Sequence, residues 1–258
     1  MEKLDQRARI EARGRFLSFV KYMHPSFTQS RHHEVIAEKL EAVERGDIRN
    51  LMVFIAPRSS KSFLISQYFP TWYMGRHPTH QVLAVTYSSD LTQKFGRYCR
   101  NIIQSPEFQS IFPGVEVSAD SRASERWNTV QGGEYNAGSI KGGIAGKGAH
   151  LGIIDDPLNE QDAWSKAARD HVITWFPGGF TSRLMPKAPT ILLMTRWGED
   201  DLAGYCERLG EETGDEWDIL SIPAILDEEG SKLLGLPKGG SFWPVPLDAP
   251  VGSDLAGW

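Results

Sequence analysis

Short, unbroken runs of hydrophobic residues recur along the chain, each about five to seven residues long. Runs of this length are typical of β-strands, and the lack of polar alternation is typical of central strands covered on both faces. The pattern therefore predicts five strands of a buried sheet. The runs are LMVFIA (51–56), QVLAVTY (81–87), LGIID (151–155), TILLMT (190–195) and DILSI (218–222).

Helical periodicity appears before the first run and after the second, over 34–45 and 91–104. Strands that alternate with helices predict an α/β fold around a mostly parallel central sheet with flanking helices. The apolar stripes of the two predicted helices are Val35, Ile36, Leu40 and Val43, and Leu91, Phe95, Tyr98 and Ile102.

Glycine and proline cluster at 132–148 and 235–252, which predicts a glycine-rich loop and a loosely structured C-terminal stretch. We expect a helical lead-in over 1–50, one α/β domain over 51–245 and a linker remnant over 246–258.

Composition narrows the class of protein. The 258 residues include 28 Lys+Arg and 33 Asp+Glu, for a net charge of −5. This balance argues against a protein that coats nucleic acid through bulk positive charge. The two cysteines, Cys99 and Cys206, provide no disulfide framework. Neither a membrane-spanning run nor the apolar core of a signal peptide is evident. We expect a soluble cytoplasmic enzyme that has no membrane partner.

The first strand leads directly into the loop APRSSKS (56–62) and then into the apolar run FLISQYF. A strand, a tight loop of small residues and Lys-Ser at the start of a helix is the context of a phosphate-binding loop. Lys61 would reach the β- and γ-phosphates, and the Ser62 hydroxyl would complete a Mg²⁺ shell. Ile55 and Ser60 stand where this pattern usually has glycine. The alternative is that Ser59 or Ser60 simply caps a helix.

The segment GGIAGKG (142–148) also contains Gly-Lys. It lacks a Ser or Thr after the lysine, and it precedes a strand instead of following one. It is therefore better interpreted as a flexible glycine-rich loop.

Paired carboxylates end the third run, at Asp155 and Asp156. In phosphate-loop ATPases an acidic residue at such a strand end holds Mg²⁺, and a neighbouring carboxylate orients the attacking water. Asp155 suits the first role and Asp156 the second. The alternative is a polar turn, since Asp-Asp-Pro is also favourable turn chemistry.

The fourth run ends in Thr195-Arg196-Trp197. A threonine at a strand end beside an ATP site can respond to the γ-phosphate. The simpler alternative is that Thr195 caps a helix whose first turn carries acidic residues. Those residues are Glu199, Asp200 and Asp201.

Taken in order, these motifs resemble the ATPase half of the large subunit of tailed-bacteriophage terminases. The resemblance covers roughly residues 16–245. It is carried by FTQSRHH (27–33), RNLMVFIAPRSSKS (49–62), VTYSSDLTQKFGR (85–97), SPEFQSIFP (105–113), GGIAGKGAHLGIIDDP (142–157), ILLMTRWGEDDLAG (191–204) and SFWP (241–244).

The resemblance implies an ASCE-type P-loop ATPase that uses ATP and Mg²⁺ to pump double-stranded DNA into a procapsid. Such a protein works in the host bacterial cytoplasm as a ring on the portal protein, together with a small terminase subunit. The other classes considered are a helicase-like translocase and a non-catalytic module with a degenerate loop. No nuclease activity is expected, because only Asp248 and Asp254 remain after residue 245. The chain is expected to be the N-terminal domain of a longer protein.

The resemblance also implies roles for individual residues. Asp156 takes the catalytic position, where many relatives carry Glu. Arg58 would steady charge on the γ-phosphate, and Thr195 with Arg196 would couple hydrolysis to movement. Weaker candidates for the adenine pocket are Gln29 and His32. The ATP-binding loop comprises Pro57, Arg58, Ser59, Ser60, Lys61 and Ser62, the metal site comprises Ser62 and Asp155, and the basic residues that could act on a neighbouring subunit are Lys147, Arg122 and Arg126.

Overall fold

The computed structural model describes residues 2–121, 123–142, 144 and 148–242, with side chains from residue 5 onward. The predicted 246–258 stretch lies outside the described residues. The helices are α1 (Glu2–Gly14), α2 (Phe16–Met23), α3 (Arg31–Arg45), α4 (Phe69–Arg76), α5 (Ser89–Ile103), α6 (Pro106–Ile111), α7 (Glu160–Ala163), α8 (Lys166–Trp175), α9 (Leu202–Thr213) and α10 (Glu228–Leu234). Two π-helical segments, Phe63–Tyr68 and Phe176–Phe180, and a 3-10 turn, Thr181–Arg183, complete the helical structure.

The strands form one sheet of seven within the described chain, in the order β3-β4-β2-β5-β6-β1-β7. All neighbouring strands are parallel except β3 and β4, which are antiparallel. The strands are β1 (Asn50–Ile55), β2 (Gln81–Thr86), β3 (Arg126–Asn128), β4 (Glu134–Ser139), β5 (Leu151–Asp155), β6 (Thr190–Met194) and β7 (Asp218–Ile222). This confirms the predicted α/β fold and its mostly parallel sheet.

Two hydrophobic cores cover the two faces of the sheet, which explains the unbroken apolar runs. Along β1, Leu51, Val53 and Ile55 face one core, whereas Met52 and Phe54 face the other. The first core also holds residues of α1 to α6, and the second holds residues of α8 and α9. Alternate residues of a strand point to opposite faces, so a strand buried on both sides needs apolar residues at every position.

Two of the predicted burial patterns differ from the structure. β7 lies at the sheet edge with Ile219 exposed, so it is not covered on both faces. The stripe predicted for 91–104 is wrong at Tyr98, which is 45% exposed. The buried face of α5 is instead rotated towards Thr92, Phe95, Gly96, Cys99 and Ile103.

The predicted glycine-rich loop at 132–148 contains β4, which escaped prediction because, apart from Tyr135, its buried residues are small or polar. Of the predicted loose stretch at 235–252, the described part is tied to the body by a hydrogen bond from Leu226 N to Gly240 O, 2.9 Å long.

The parallel arrangement places the carboxyl ends of β1, β5 and β6 side by side. β6 lies between β1 and β5, so an additional strand separates the strand that leads into loop 56–62 from the strand that ends in Asp155. This is the strand arrangement that defines an ASCE-type P-loop NTPase. The carboxyl edge of a parallel sheet is where ligands bind in α/β proteins.

Candidate active site

The loop 56–62 has an alternating backbone. Arg58 (φ 63°) and Ser60 (φ 60°) are left-handed, whereas Pro57, Ser59 and Lys61 are not. In such alternation successive N–H groups line a concave surface that binds anions. A left-handed non-glycine residue costs on the order of 1–2 kcal/mol, which explains why glycine is usual at these positions.

Neither the Ser59 nor the Ser60 side chain forms a capping hydrogen bond with the described residues. The Ser59 hydroxyl is buried and has no hydrogen-bond partner in the described part of the chain, so it caps no helix. Ser60 contributes its backbone carbonyl, which accepts a hydrogen bond from Leu64 N at 3.0 Å. The two residues are therefore part of the loop's concave backbone.

Lys61 and Asp156 form an ion pair, with 3.2 Å between Nζ and Oδ2. The lysine side chain is only 9% exposed, and the aspartate is 30% exposed. The loop after β1 is thus joined directly to the end of β5. The sequence places these residues 95 positions apart, from Lys61 to Asp156, and the parallel sheet brings them together.

Two serine hydroxyls hold Asp155. Ser62 Oγ donates to Oδ1 at 3.1 Å, and Ser66 Oγ donates to Oδ2 at 2.5 Å. Burial and, after it, the charge of Asp156 raise the pKa of Asp155 to about 7, although the two serines and Lys61 oppose the rise. Without a cation, this carboxylate is therefore poorly stabilised in its charged form.

Asp156 also joins β5 to β6. Its backbone is left-handed (φ 43°), and its N–H donates to Leu193 O at 2.8 Å. Its Oδ1 accepts from the backbone N–H of Thr195 at 3.1 Å. Asp156 thus contacts both the loop lysine and the residue predicted to respond to the γ-phosphate.

The cap of α9 is Asp201, whose carboxylate accepts from Gly204 N at 3.0 Å, so Thr195 does not cap that helix. Arg196 is 33% exposed and pairs with Asp201 (3.0 Å) and Glu207 (2.7 Å). Its guanidinium lies 4.9 Å from the centre of the Phe54 ring at the end of β1. Arg196 therefore ties α9 to the ends of β1 and β6.

Arg58 is exposed, and its side chain forms no hydrogen bond or ion pair with the described residues.

His32 lies beneath the loop, and its Nε2 is 3.2 Å from Ser59 O. Burial lowers the pKa of His32 to about 4, so the imidazole is neutral and donates this bond. Gln29 instead donates to Glu34 at 2.8 Å and lines a cavity of about 490 Å³ formed by residues 11–41. The structure brings His32 to the loop and turns Gln29 towards the N-terminal helices.

Of the three basic candidates for action on a neighbouring subunit, only Arg126 is described. It is exposed on β3, where its Nε pairs with Glu134 at 3.1 Å. Arg122 and Lys147 lie outside the described residues.

Ser66 is the site residue that sequence reasoning missed. It lies inside the apolar run FLISQYF, one helical turn after Ser62. That spacing is the signal that could have found it, because residues four apart share a helix face.

The donor set fits Mg²⁺ and phosphate. Ser62 and Asp155 offer hard oxygen ligands, and Lys61 with the concave loop offers positive charge to an anion. No group of three or more His, Cys, Asp or Glu side chains in the described residues is placed to hold a metal on its own. Mg²⁺ is commonly bound through one or two carboxylates plus substrate phosphates, which is what this edge provides.

The family model described as "Terminase large subunit, T4likevirus-type, N-terminal" matches residues 52–240, which is well over half of the chain. The chain belongs to the terminase large-subunit family. The match spans the loop, both aspartates and the Thr195 segment.

Among solved structures, the large terminase of the HK97 bacteriophage is similar to this terminase domain, with 14% identity and a TM-score of 0.45. The similarity covers 79% of this chain and 43% of the HK97 chain, so this chain spans less than half of that protein's length. No curated protein sequence matches the chain. Among the described helices, none is both long and apolar enough to cross a membrane.

Proposed function

We propose that this terminase domain is a Mg²⁺-dependent ATPase that drives the packaging of double-stranded DNA into a procapsid. The observation that carries the proposal is the convergence of Lys61, Ser62, Asp155 and Asp156 at one sheet edge, with Lys61 3.2 Å from Asp156 and Ser62 3.1 Å from Asp155. A lysine, a hydroxyl and two carboxylates in this arrangement suit phosphoryl transfer, where catalysis is mostly positioning and charge stabilisation.

Each side chain has a definite role in this proposal. Lys61 would exchange Asp156 for the phosphate oxygens of ATP, and the backbone N–H groups of residues 58–61 would bind them as well. Ser62 and Asp155 would hold Mg²⁺, which supplies positive charge against the developing negative charge of the phosphates.

Once Lys61 leaves it, Asp156 has a free oxygen, Oδ2, while Oδ1 stays fixed by the Thr195 N–H. Asp156 would accept a hydrogen bond from the attacking water and so orient it for in-line attack. Arg58, which is exposed in the loop and pairs with none of the described side chains, would reach the γ-phosphate side. When Asp156 separates from Lys61, Thr195 would respond through the hydrogen bond that its backbone N–H donates to Asp156 Oδ1.

The packaging role rests on family membership together with this site. The proposed partners are double-stranded DNA, the portal protein, the small terminase subunit and further copies of this chain in a ring on the procapsid, in the host bacterial cytoplasm. Contacts with DNA should be to phosphates and weak for each subunit, because a motor must release at every step.

The test is phosphate release from ATP with and without Mg²⁺, measured with DNA present. Lys61→Ala and Asp155→Ala should each abolish release while the protein stays folded. Lys232→Ala is a matched control, since Lys232 is an exposed lysine on α10 that pairs, among the described residues, with Glu228 alone. Nucleotide binding should be measured alongside, because a subunit without its neighbour hydrolyses slowly. Hydrolysis retained in both site variants would refute the assignment.

A further inference from the structure

Ser66 lies in the π-helical segment Phe63–Tyr68, directly after the loop. The residue is 1% exposed, and its hydroxyl donates to Asp155 Oδ2 at 2.5 Å. A π-helical turn is rare and occurs often at functional sites. A polar side chain is therefore buried in an apolar segment at the point where it meets the metal-binding carboxylate.

The two serines divide the carboxylate of Asp155 between them, with Ser62 on Oδ1 and Ser66 on Oδ2. In the proposed function the Ser62 oxygen faces Mg²⁺, so its hydrogen bond to Oδ1 is given up or weakened. The Ser66 hydroxyl is not proposed to ligate Mg²⁺, so its hydrogen bond to Asp155 Oδ2 is kept. Ser66 is then the hydroxyl that keeps Asp155 oriented while the metal is bound.

The π-helical turn has its own support from α5. The single S–H group of Cys99 lies within hydrogen-bond distance of two backbone carbonyls, those of Ser66 (3.5 Å) and Gln67 (3.4 Å), which share it. Cys99 is fully buried, and burial raises the pKa of its thiol to about 12, so it stays protonated and remains a donor. The thiol therefore offers a donor to backbone carbonyls of the π-helical turn.

We propose that Ser66 is a positioning residue for the metal site: it fixes Asp155 for Mg²⁺ binding, and Cys99 fixes the turn that aims Ser66. This inference rests on the proposed function. It follows a general pattern in which partners of the ligating carboxylate tune metal affinity as strongly as some ligands do.

The test is the affinity of Mn²⁺, used as the probe for Mg²⁺, for the ADP complex of the protein, followed by electron paramagnetic resonance. Ser66→Ala should weaken Mn²⁺ binding on the order of 10-fold or more, the effect typical of losing such a partner. Its affinity for ADP in EDTA should not change, because Ser66 contacts the carboxylate and not the loop. Ser66→Cys keeps a donor at this position, although a larger and weaker one, so its Mn²⁺ affinity should fall between those of the wild type and Ser66→Ala.

Thr71→Val is the matched control for removing a buried hydroxyl from the same helical stretch. Thr71 is fully buried and its hydroxyl donates to Tyr68 O at 2.7 Å, so Thr71→Val should leave Mn²⁺ affinity unchanged. Cys99→Ala should weaken Mn²⁺ binding in the same direction as Ser66→Ala, and Cys99→Ser, which keeps a donor, should restore it.

Wild-type Mn²⁺ affinity in both folded Ser66 variants would overturn the inference while leaving the proposed function intact. Loss of ADP affinity in EDTA in parallel with Mn²⁺ affinity would also overturn it, since that indicates a general loss of structure. If the wild-type protein bound neither ADP nor Mn²⁺, the proposed function would fail together with the inference.

Discussion

The Nζ atom of Lys61 lies 3.2 Å from Oδ2 of Asp156. The lysine of the loop is therefore paired with the very carboxylate proposed to orient water. In the proposed function, ATP phosphates displace Asp156 from Lys61, and this exchange would both bind the nucleotide and free the carboxylate to orient water. The ion pair would therefore link phosphate binding at the loop to the release of the Asp156 carboxylate at the end of β5.

Asp156→Asn should separate these two effects. The variant removes the charge that competes for Lys61 but keeps an oxygen for the Thr195 N–H, so ATP should bind several-fold more tightly. Single-turnover hydrolysis should fall by about 10²-fold or more, the usual contribution of a positioned base. Weaker ATP binding with retained hydrolysis would contradict the proposed roles.

Ser60→Gly should strengthen ATP binding by the loop 56–62. Glycine adopts the left-handed backbone without the cost that Ser60 (φ 60°) bears, and it lets phosphates approach the N–H groups closely. We expect tighter ATP binding and a free energy of unfolding within about 1 kcal/mol of wild type, because the greater freedom of glycine in the unfolded chain offsets the relieved strain.

Arg58→Gly is the matched comparison, since Arg58 (φ 63°) has the same backbone strain. It should be as stable as Ser60→Gly but hydrolyse ATP more slowly, because the guanidinium is lost. Equal hydrolysis by the two glycine variants would show that Arg58 does not contact the reacting phosphate.

Metal affinity should depend on pH near neutrality. Burial and the charge of Asp156 raise the pKa of Asp155 to about 7, so below that pH a proton competes with the metal. The affinity of Mn²⁺ for the nucleotide complex should rise about 10-fold from pH 6 to pH 8. Asp156→Asn removes the neighbouring charge and should shift this rise to lower pH. Identical pH profiles for both proteins would contradict the assignment.

The paired imidazoles of His32 and His33 should make the protein labile to acid. Burial lowers the pKa of His32 to about 4 and that of His33 to about 3, with the charge of His32 adding to the effect on His33. The unfolded chain takes up these protons near pH 6.5. Stability contributed by the neutral rings is therefore present above pH 6.5 and lost as pH falls towards 4.

His33→Asn tests this, because asparagine can still accept the Ser30 N–H that His33 Nδ1 accepts at 3.0 Å. Its Tm should fall less than that of the wild type between pH 7 and pH 5. Asp155 has a raised pKa, so its contribution to stability grows as pH falls. This contribution is the same in both proteins and cancels when their Tm curves are compared. Parallel Tm curves would refute the prediction.

The sequence was sufficient for five of the seven described strands and for the strand–loop–helix context of 56–62, because these depend on local patterns. Unbroken apolar runs identify strands buried on both faces, and a strand followed by Lys61-Ser62 identifies the loop. β4 could not be predicted, because Asn136, Gly138 and Ser139 are buried by neighbouring strands and not by their own hydrophobicity. The edge position of β7 likewise depends on strand order, which periodicity does not encode.

The contacts within the site depend on chain geometry beyond the motifs. The pairing of Lys61 with Asp156 follows from parallel strands ending at one edge, and residue types alone allow either aspartate to face the lysine. Ser66 reaches Asp155 from a π-helical turn that is supported by Cys99 in another helix. No spacing rule anticipates that turn.

Equilibrium binding of ATP in the presence of Mg²⁺ tests the central claim most directly, with wild type, Lys61→Ala and the control Lys232→Ala compared at one ionic strength. We expect wild type and Lys232→Ala to bind alike, and Lys61→Ala to bind at least about 10-fold more weakly, since a buried charge-assisted contact to phosphate is worth about 1.5–3 kcal/mol. Equal affinity of folded Lys61→Ala and wild type would contradict the account, because the loop would then not be the phosphate site.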